Sequence, residues 1–246
     1  MPIAVSYTLR RLAAKCANSY VIKRRSEELL PVQVGAGVSG GAEAAVHAVR
    51  RLVNHMPDDH VFVKLDFTNA FNTVRRHLIL ASTADKISEP YRFVHASLEC
   101  SPMLTYGNAI IISAEGSQQG DPLSSLEYCD AAPPTLLAKS SRTKFGFVDD
   151  TNLEGRSSQV ANDVQLIIDS HQHAGLHLNA HKCEIIANNF ELIDQYPVLK
   201  DFKRTAKKDM TLLGAPVLDG KAVDKRCKQN LRHGTVSGAS IVTAGT

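Results

Sequence analysis

From position 143 the chain reads TKFGFVDDTNL, ending at Leu153. Thr143 to Val148 carries the β-branched and aromatic residues of a short strand, and Thr151 to Leu153 those of a second. Asp149 and Asp150 then sit at the tip of a hairpin. An Asp-Asp pair in a turn is common, and by itself says little. Upstream, however, Val61 to Leu65 (VFVKL) is an apolar run of strand length that ends at Asp66. A strand end and a hairpin tip can face each other across a sheet. Carboxylates that converge there repel one another unless cations neutralise them. Hard oxygen donors of this kind suit Mg²⁺, which takes one or two carboxylates plus substrate phosphates. Two such ions about 3.5–4 Å apart can clamp an in-line phosphoryl displacement.

The rest of the chain supplies helices for such a sheet. Met1 to Leu30 is basic and mildly amphipathic and is expected to be helical or mixed. Ala45, Val46, Val49, Leu52, Val53 and Met56 recur at helical spacing, which predicts a helix over 42–56 stopped by Pro57. A helix is expected from about Asn72, and another over 92–100. Leu104 to Ser113 suits a hairpin bent at Gly107-Asn108. Val160, Val164, Ile167, Ile168 and His171 mark one face of a further helix, with Ser157 or Ser158 as its cap and Gly175 at its end. Leu176 to Ile186 reads as extended.

Composition is that of a globular chain. The 246 residues are 43% hydrophobic and 22% charged, enough for a sizeable core. No apolar run is long enough to span a bilayer, so no membrane partner is expected. The five cysteines are widely spaced with no C-x-x-C pair, which argues against a zinc site and for a reducing compartment, nucleus or cytoplasm. The net charge of +3 permits nucleic-acid binding without requiring it, because a local groove matters more than the total.

One pattern competes for attention. Gly35-Ala36-Gly37-Val38-Ser39-Gly40 matches G-x-G-x-x-G before a helix, and the next strand ends in an acid. Three features weigh against a dinucleotide fold. The preceding strand, Val32 to Val34, is very short. Asp66 lies 26 residues past Gly40 (66 − 40), beyond the usual ~20. No further β-α-β units follow.

The neighbours of the three acids decide between these readings. Asp66-Phe67-Thr68-Asn69-Ala70-Phe71 resembles the first palm motif of reverse transcriptases. Ser117-Gln118-Gln119-Gly120-Asp121-Pro122-Leu123 resembles their Q-G-D-P-L motif, and Phe147-Val148-Asp149-Asp150 their aromatic-x-Asp-Asp motif. Gly175 to Lys182 (GLHLNAHK) is similar to the G-L-x-x-N-x-x-K segment that follows, and Leu212-Leu213-Gly214 to the hydrophobic grip before the thumb. Each is weak alone. Five in order over about 150 residues are specific, and the wording is most similar to non-LTR retrotransposon enzymes.

The resemblance implies an α/β (α+β) fold: a polymerase palm, antiparallel sheet on helices, with partial fingers and no thumb. It implies partial fingers over 1–60, palm over 61–220 with a fingers-like insertion at about 80–112, and a tail over 221–246 expected to be poorly ordered. The implied activity is RNA-templated DNA synthesis by two-metal nucleotidyl transfer, with an RNA template, a DNA primer and deoxynucleoside triphosphates as partners. The cofactor would be two Mg²⁺ ions, or Mn²⁺. Asp66, Asp149 and Asp150 would hold them, with the Phe67 carbonyl as a further ligand. Phe71 matches the steric gate that excludes a ribose 2′-OH. Gln119 and Gly120 would pack on the incoming nucleotide and template base. Lys182 matches the general acid for pyrophosphate, a solvated surface lysine being the alternative.

The sequence also departs from the family. Met1 stands where an arginine usually precedes the Pro-Ile that Pro2-Ile3 resembles. Glu127 and Asp130 occupy expected apolar positions of the helix after Gln119, and Pro133-Pro134 should break it. Only 30 residues separate Gln119 from Asp149 (149 − 119). The chain ends soon after Gly214. These departures leave open a catalytically inactive, nucleic-acid-binding remnant of such a polymerase.

Overall fold

The computed structural model describes residues 6–99, 101–132 and 140–218. The expectations for Met1 to Ile3, for Pro133-Pro134 and for the tail beyond 218 fall outside the described residues. Helix α1 spans Thr8–Leu29 and α2 Gly41–Asn54; β1 runs His60–Leu65. The short α3 (Ala70–Thr73) and then α4 (Arg76–Lys86) and α5 (Tyr91–Leu98) follow. A hairpin, β2 (Met103–Tyr106) and β3 (Ala109–Ile112), precedes α6 (Ser124–Ala131). Next come β4 (Thr143–Phe147), β5 (Asp150–Arg156), α7 (Ser157–His173) and β6 (Glu184–Ala187). Short strands β7 (Lys203–Arg204), β8 (Thr211–Leu212) and β9 (Ala215–Pro216) complete the described chain.

The central sheet has the order β4-β5-β1-β6-β7. Its first four strands are antiparallel, and only β6–β7 is parallel. Central β1 is covered on both faces, which is why the apolar residues of VFVKL do not alternate with polar ones. Val61, Val63 and Leu65 point into one core with Leu153, Ile185 and the α7 residues Val160, Val164 and Ile167. Phe62 points into a second core with Ile186, Phe145 and the α2 residues Val46, Val49 and Val53. Alternation along β1 thus assigns α7 to one face and α2 to the other. The β8–β9 pair seals the second core through Leu212.

Two sequence expectations change in detail. The helix expected from Asn72 is two pieces, because Val74 adopts an extended ψ of 131° and ends α3. Ser157 does not cap α7: it is the first helical residue, and its hydroxyl donates to the Asp59 carbonyl at 2.7 Å. The glycine-rich stretch builds no β-α-β unit. Gln33 bridges to Gly146 on β4, while β1 lies between β5 and β6. No described helix is long and apolar enough to cross a membrane.

Candidate active site

Strand register brings the three acids to one end of the sheet. Leu65 pairs with Thr151 and Phe147 with Asp150, so Asp66 leaves β1 beside the start of β5. Alternation places Asp66, Lys64, Asp150 and Asn152 on the same face. Val148 makes the turn into Asp149 with φ +55°.

The electrostatics fit an acidic cluster. Partial burial raises the Asp149 carboxyl above the ordinary aspartate range, and the charge of Asp66 pushes it further. Asp150 keeps solvent-exposed surface, yet desolvation and then Asp149 raise it too, while Lys64 pulls it back. Among the described residues none of the three acids forms a salt bridge. Lys64 donates instead to the Thr211 carbonyl at 3.0 Å and lies 3.5 Å from Glu184. Partly desolvated carboxylates without salt-bridge partners are the donor set that a hard divalent cation would relieve. Among the described residues no three His, Cys, Asp or Glu side chains group closely enough to hold a metal ion. The acids therefore share a sheet end without closing on one point.

Two other motif segments dock on the Asp66–Phe71 stretch through backbone. The Asn179 N–H donates to the Asp66 carbonyl at 2.8 Å and the Thr68 N–H to the His177 carbonyl at 2.8 Å, while Phe67 bridges Leu178. Among the described residues no backbone N–H bonds the Phe67 carbonyl between them. Buried Cys183 takes the Asp66 N–H on its sulfur at 3.3 Å. Gly175, at φ +81°, ends α7 where a Cβ would lie 2.4 Å from the Thr73 carbonyl oxygen. Glycine is required there by both conformation and space. Lys182 follows this clasp on an exposed turn, and its ammonium has no partner among the described residues.

From the other side, the Ser117 N–H donates to the Phe71 carbonyl at 2.7 Å. Phe71 is buried, and its ring lies 5.2 Å from that of Tyr128 on α6. Burial, and then Asp149, push the Tyr128 hydroxyl far above its ordinary range, so Phe71, Tyr128 and the hairpin are neighbours. Gly120 has φ +110° and is exposed, and Gln119 is half-buried with its Oε1 enclosed and unpartnered among the described residues. Asp121 is structural: it accepts from the Leu123 N–H at 3.0 Å and from Arg10 at 2.8 Å.

The two acids that looked out of place on α6 are buried with partners. Glu127 accepts from the Ser117 hydroxyl, and its burial pushes its carboxyl up to about 7. Asp130 pairs with buried Arg25. Three basic side chains are likewise held by backbone carbonyls. Arg50 donates to the Val217 carbonyl at 2.7 Å, Arg76 to Ser113 at 2.7 Å, and Lys207 to Val53 at 2.9 Å. The residues that sequence reading passed over are Gln33, Lys64, Tyr128 and Cys183. Their contacts span long sequence separations, and no local pattern announces them.

A sheet end that gathers Asp66, Asp149 and Asp150, with the Gln119 and Lys182 segments bonded around it, defines a polymerase palm. The reverse transcriptase (RNA-dependent DNA polymerase) model matches residues 4–232, and the chain belongs to that family. Its fold is similar to that of apo telomerase from Candida tropicalis, at 14% identity and TM-score 0.55, covering 87% of this chain and 40% of that one. The Candida tropicalis telomerase in complex with a fragment of telomeric RNA gives 13% identity and TM-score 0.52, covering 88% and 37%. The chain thus spans well under half the length of these neighbours. Comparison with curated proteins finds no match. Domains of this family generally use divalent metals.

Proposed function

We propose that this chain is the palm, with partial fingers, of a non-LTR retrotransposon reverse transcriptase. It would occupy 61–220 as palm and 1–60 as fingers, with an insertion at about 80–112. The reaction is RNA-templated addition of deoxynucleotides to a DNA primer. The observation that carries this reading is the gathering of Asp66, Asp149 and Asp150 at one sheet end, with none of them in a salt bridge among the described residues. Those acids and the Phe67 carbonyl would hold two Mg²⁺ ions, which when bound supply charge neutralisation of the phosphates and activation of the primer 3′ hydroxyl. In this reading Phe71 limits the space beside the sugar, Gln119 and Gly120 bear on the nucleotide and template, and Lys182 protonates pyrophosphate.

Primer extension on an RNA template with Mg²⁺ or Mn²⁺ tests the reading, and templated deoxynucleotide incorporation is the expected result. A second reading, a silent nucleic-acid-binding remnant, is favoured by one observation: the described acids do not close on a point. Salt-dependent primer–template binding without incorporation would support it.

A further inference from the structure

The turn that carries the acids is held by a residue outside every motif. Val148 is β-branched and sits at φ +55°, a conformation such residues rarely adopt. Something must hold it there. The side-chain amide of Gln33 does so at both ends of the residue: its Oε1 accepts the Val148 N–H at 2.8 Å, and its Nε2 donates to the Val148 carbonyl at 3.0 Å. The same Oε1 accepts the Gly35 N–H at 2.9 Å, which fixes the amide's own orientation.

The surrounding backbone braces this contact. The Gly146 N–H donates to the Val32 carbonyl at 2.6 Å, and the Val34 N–H to the Gly146 carbonyl at 2.9 Å. Glycine is needed at position 35 and keeps the contact at position 146 open. A Cβ on Gly35 would lie 2.6 Å from the Val148 nitrogen, and one on Gly146 would lie 3.0 Å from Gln33 Nε2. The Val148 carbonyl belongs to the peptide plane that leads into Asp149. A hydrogen bond to that oxygen therefore restrains the direction in which Asp149 leaves the turn.

We propose that Gln33 is a positioning residue, which fixes the strained Val148 turn and so sets Asp149 and Asp150 opposite Asp66. The proposal rests on the polymerase reading. It assigns a task to the glycine-rich segment: the glycines let residues 32–35 lie directly against the hairpin.

The test compares the full chain with Gln33→Ala, Val148→Gly and the double variant. Gln33→Ala is expected to lower kcat for templated incorporation by about 10- to 100-fold, the scale of a small misplacement, with KM for the deoxynucleotide within about twofold. Glycine tolerates the left-handed turn without help, so the loss caused by Gln33→Ala should be clearly smaller in the Val148→Gly background. An unchanged kcat in Gln33→Ala, or an equal loss in both backgrounds, would overturn the proposal. So would a loss that appears only as unfolding in a thermal melt. If the wild-type chain incorporates nothing, the polymerase reading fails separately, and Mn²⁺ binding followed by electron paramagnetic resonance decides for Gln33. Weaker Mn²⁺ binding by Gln33→Ala supports the positioning role; equal binding, or none by the wild type, overturns it.

Discussion

The Asp66 carbonyl accepts the Asn179 N–H at 2.8 Å, so the segment ending in Lys182 is bonded directly to the strand end that carries an acid. This makes the lysine's place a consequence of the sheet rather than of a free loop. Lys182 is exposed and unpartnered among the described residues, which separates its chemical role from stability. Lys182→Gln should leave the unfolding midpoint unchanged and lower kcat by about 10²–10⁴-fold, as loss of a general acid does. Steady-state kinetics beside a thermal melt checks this. Unaltered kcat would return Lys182 to the solvated surface.

Phe71 is expected to couple stability and sugar choice. Its ring is buried against Tyr128, so Phe71→Ala should cost about 3–5 kcal/mol in denaturant unfolding. In protein that remains folded, it should admit ribonucleotides. Unchanged preference for deoxynucleotides would remove the gate assignment and leave Phe71 as core.

Glu127 makes stability depend on pH in an assignable way. Its carboxyl is raised from an ordinary value to about 7 in the fold, so the native state holds its proton more tightly than the unfolded chain. That contribution is full below the ordinary glutamate range, near pH 4.5, and is lost as pH rises through about 7. Glu127→Gln should therefore gain stability over the wild type between pH 5 and 8, by about 1–3 kcal/mol at the upper end. Urea unfolding of both proteins across that range measures the difference. A difference that does not change with pH would contradict it.

Asn152 lies two residues beyond Asp150 on the same face, 99% buried by its 1% exposure, with neither amide atom partnered among the described residues. Asn152→Val removes an unsatisfied polar group and adds a β-branched residue to a strand. It should be neutral or stabilising by about 1–2 kcal/mol in chemical denaturation. Destabilisation of that size would mean that the amide has a bridging water.

Much of this architecture was legible in sequence, for physical reasons that differ by element. The β4–β5 hairpin and α7 show their periods directly, and β1 shows its burial on both faces. The ordering of five short motifs carried the family. The α3–α4 break was not legible, because Val74 leaves the helix to let Arg75 bond its N–H to the Ala174 carbonyl at 3.0 Å, a partner distant in sequence. Glu127 and Asp130 looked like defects because their partners, Ser117 and Arg25, come from other elements. Gln33 was hidden behind a glycine pattern that imitates a different fold.

The measurement that bears most directly on the central claim is incorporation of deoxynucleotides on an RNA template with Mg²⁺, comparing the chain with Asp149→Asn/Asp150→Asn. The account predicts incorporation by the wild type and none by the variant, with both folded by circular dichroism. Equal incorporation by the two, or none by a folded wild type that still binds primer–template, would contradict it.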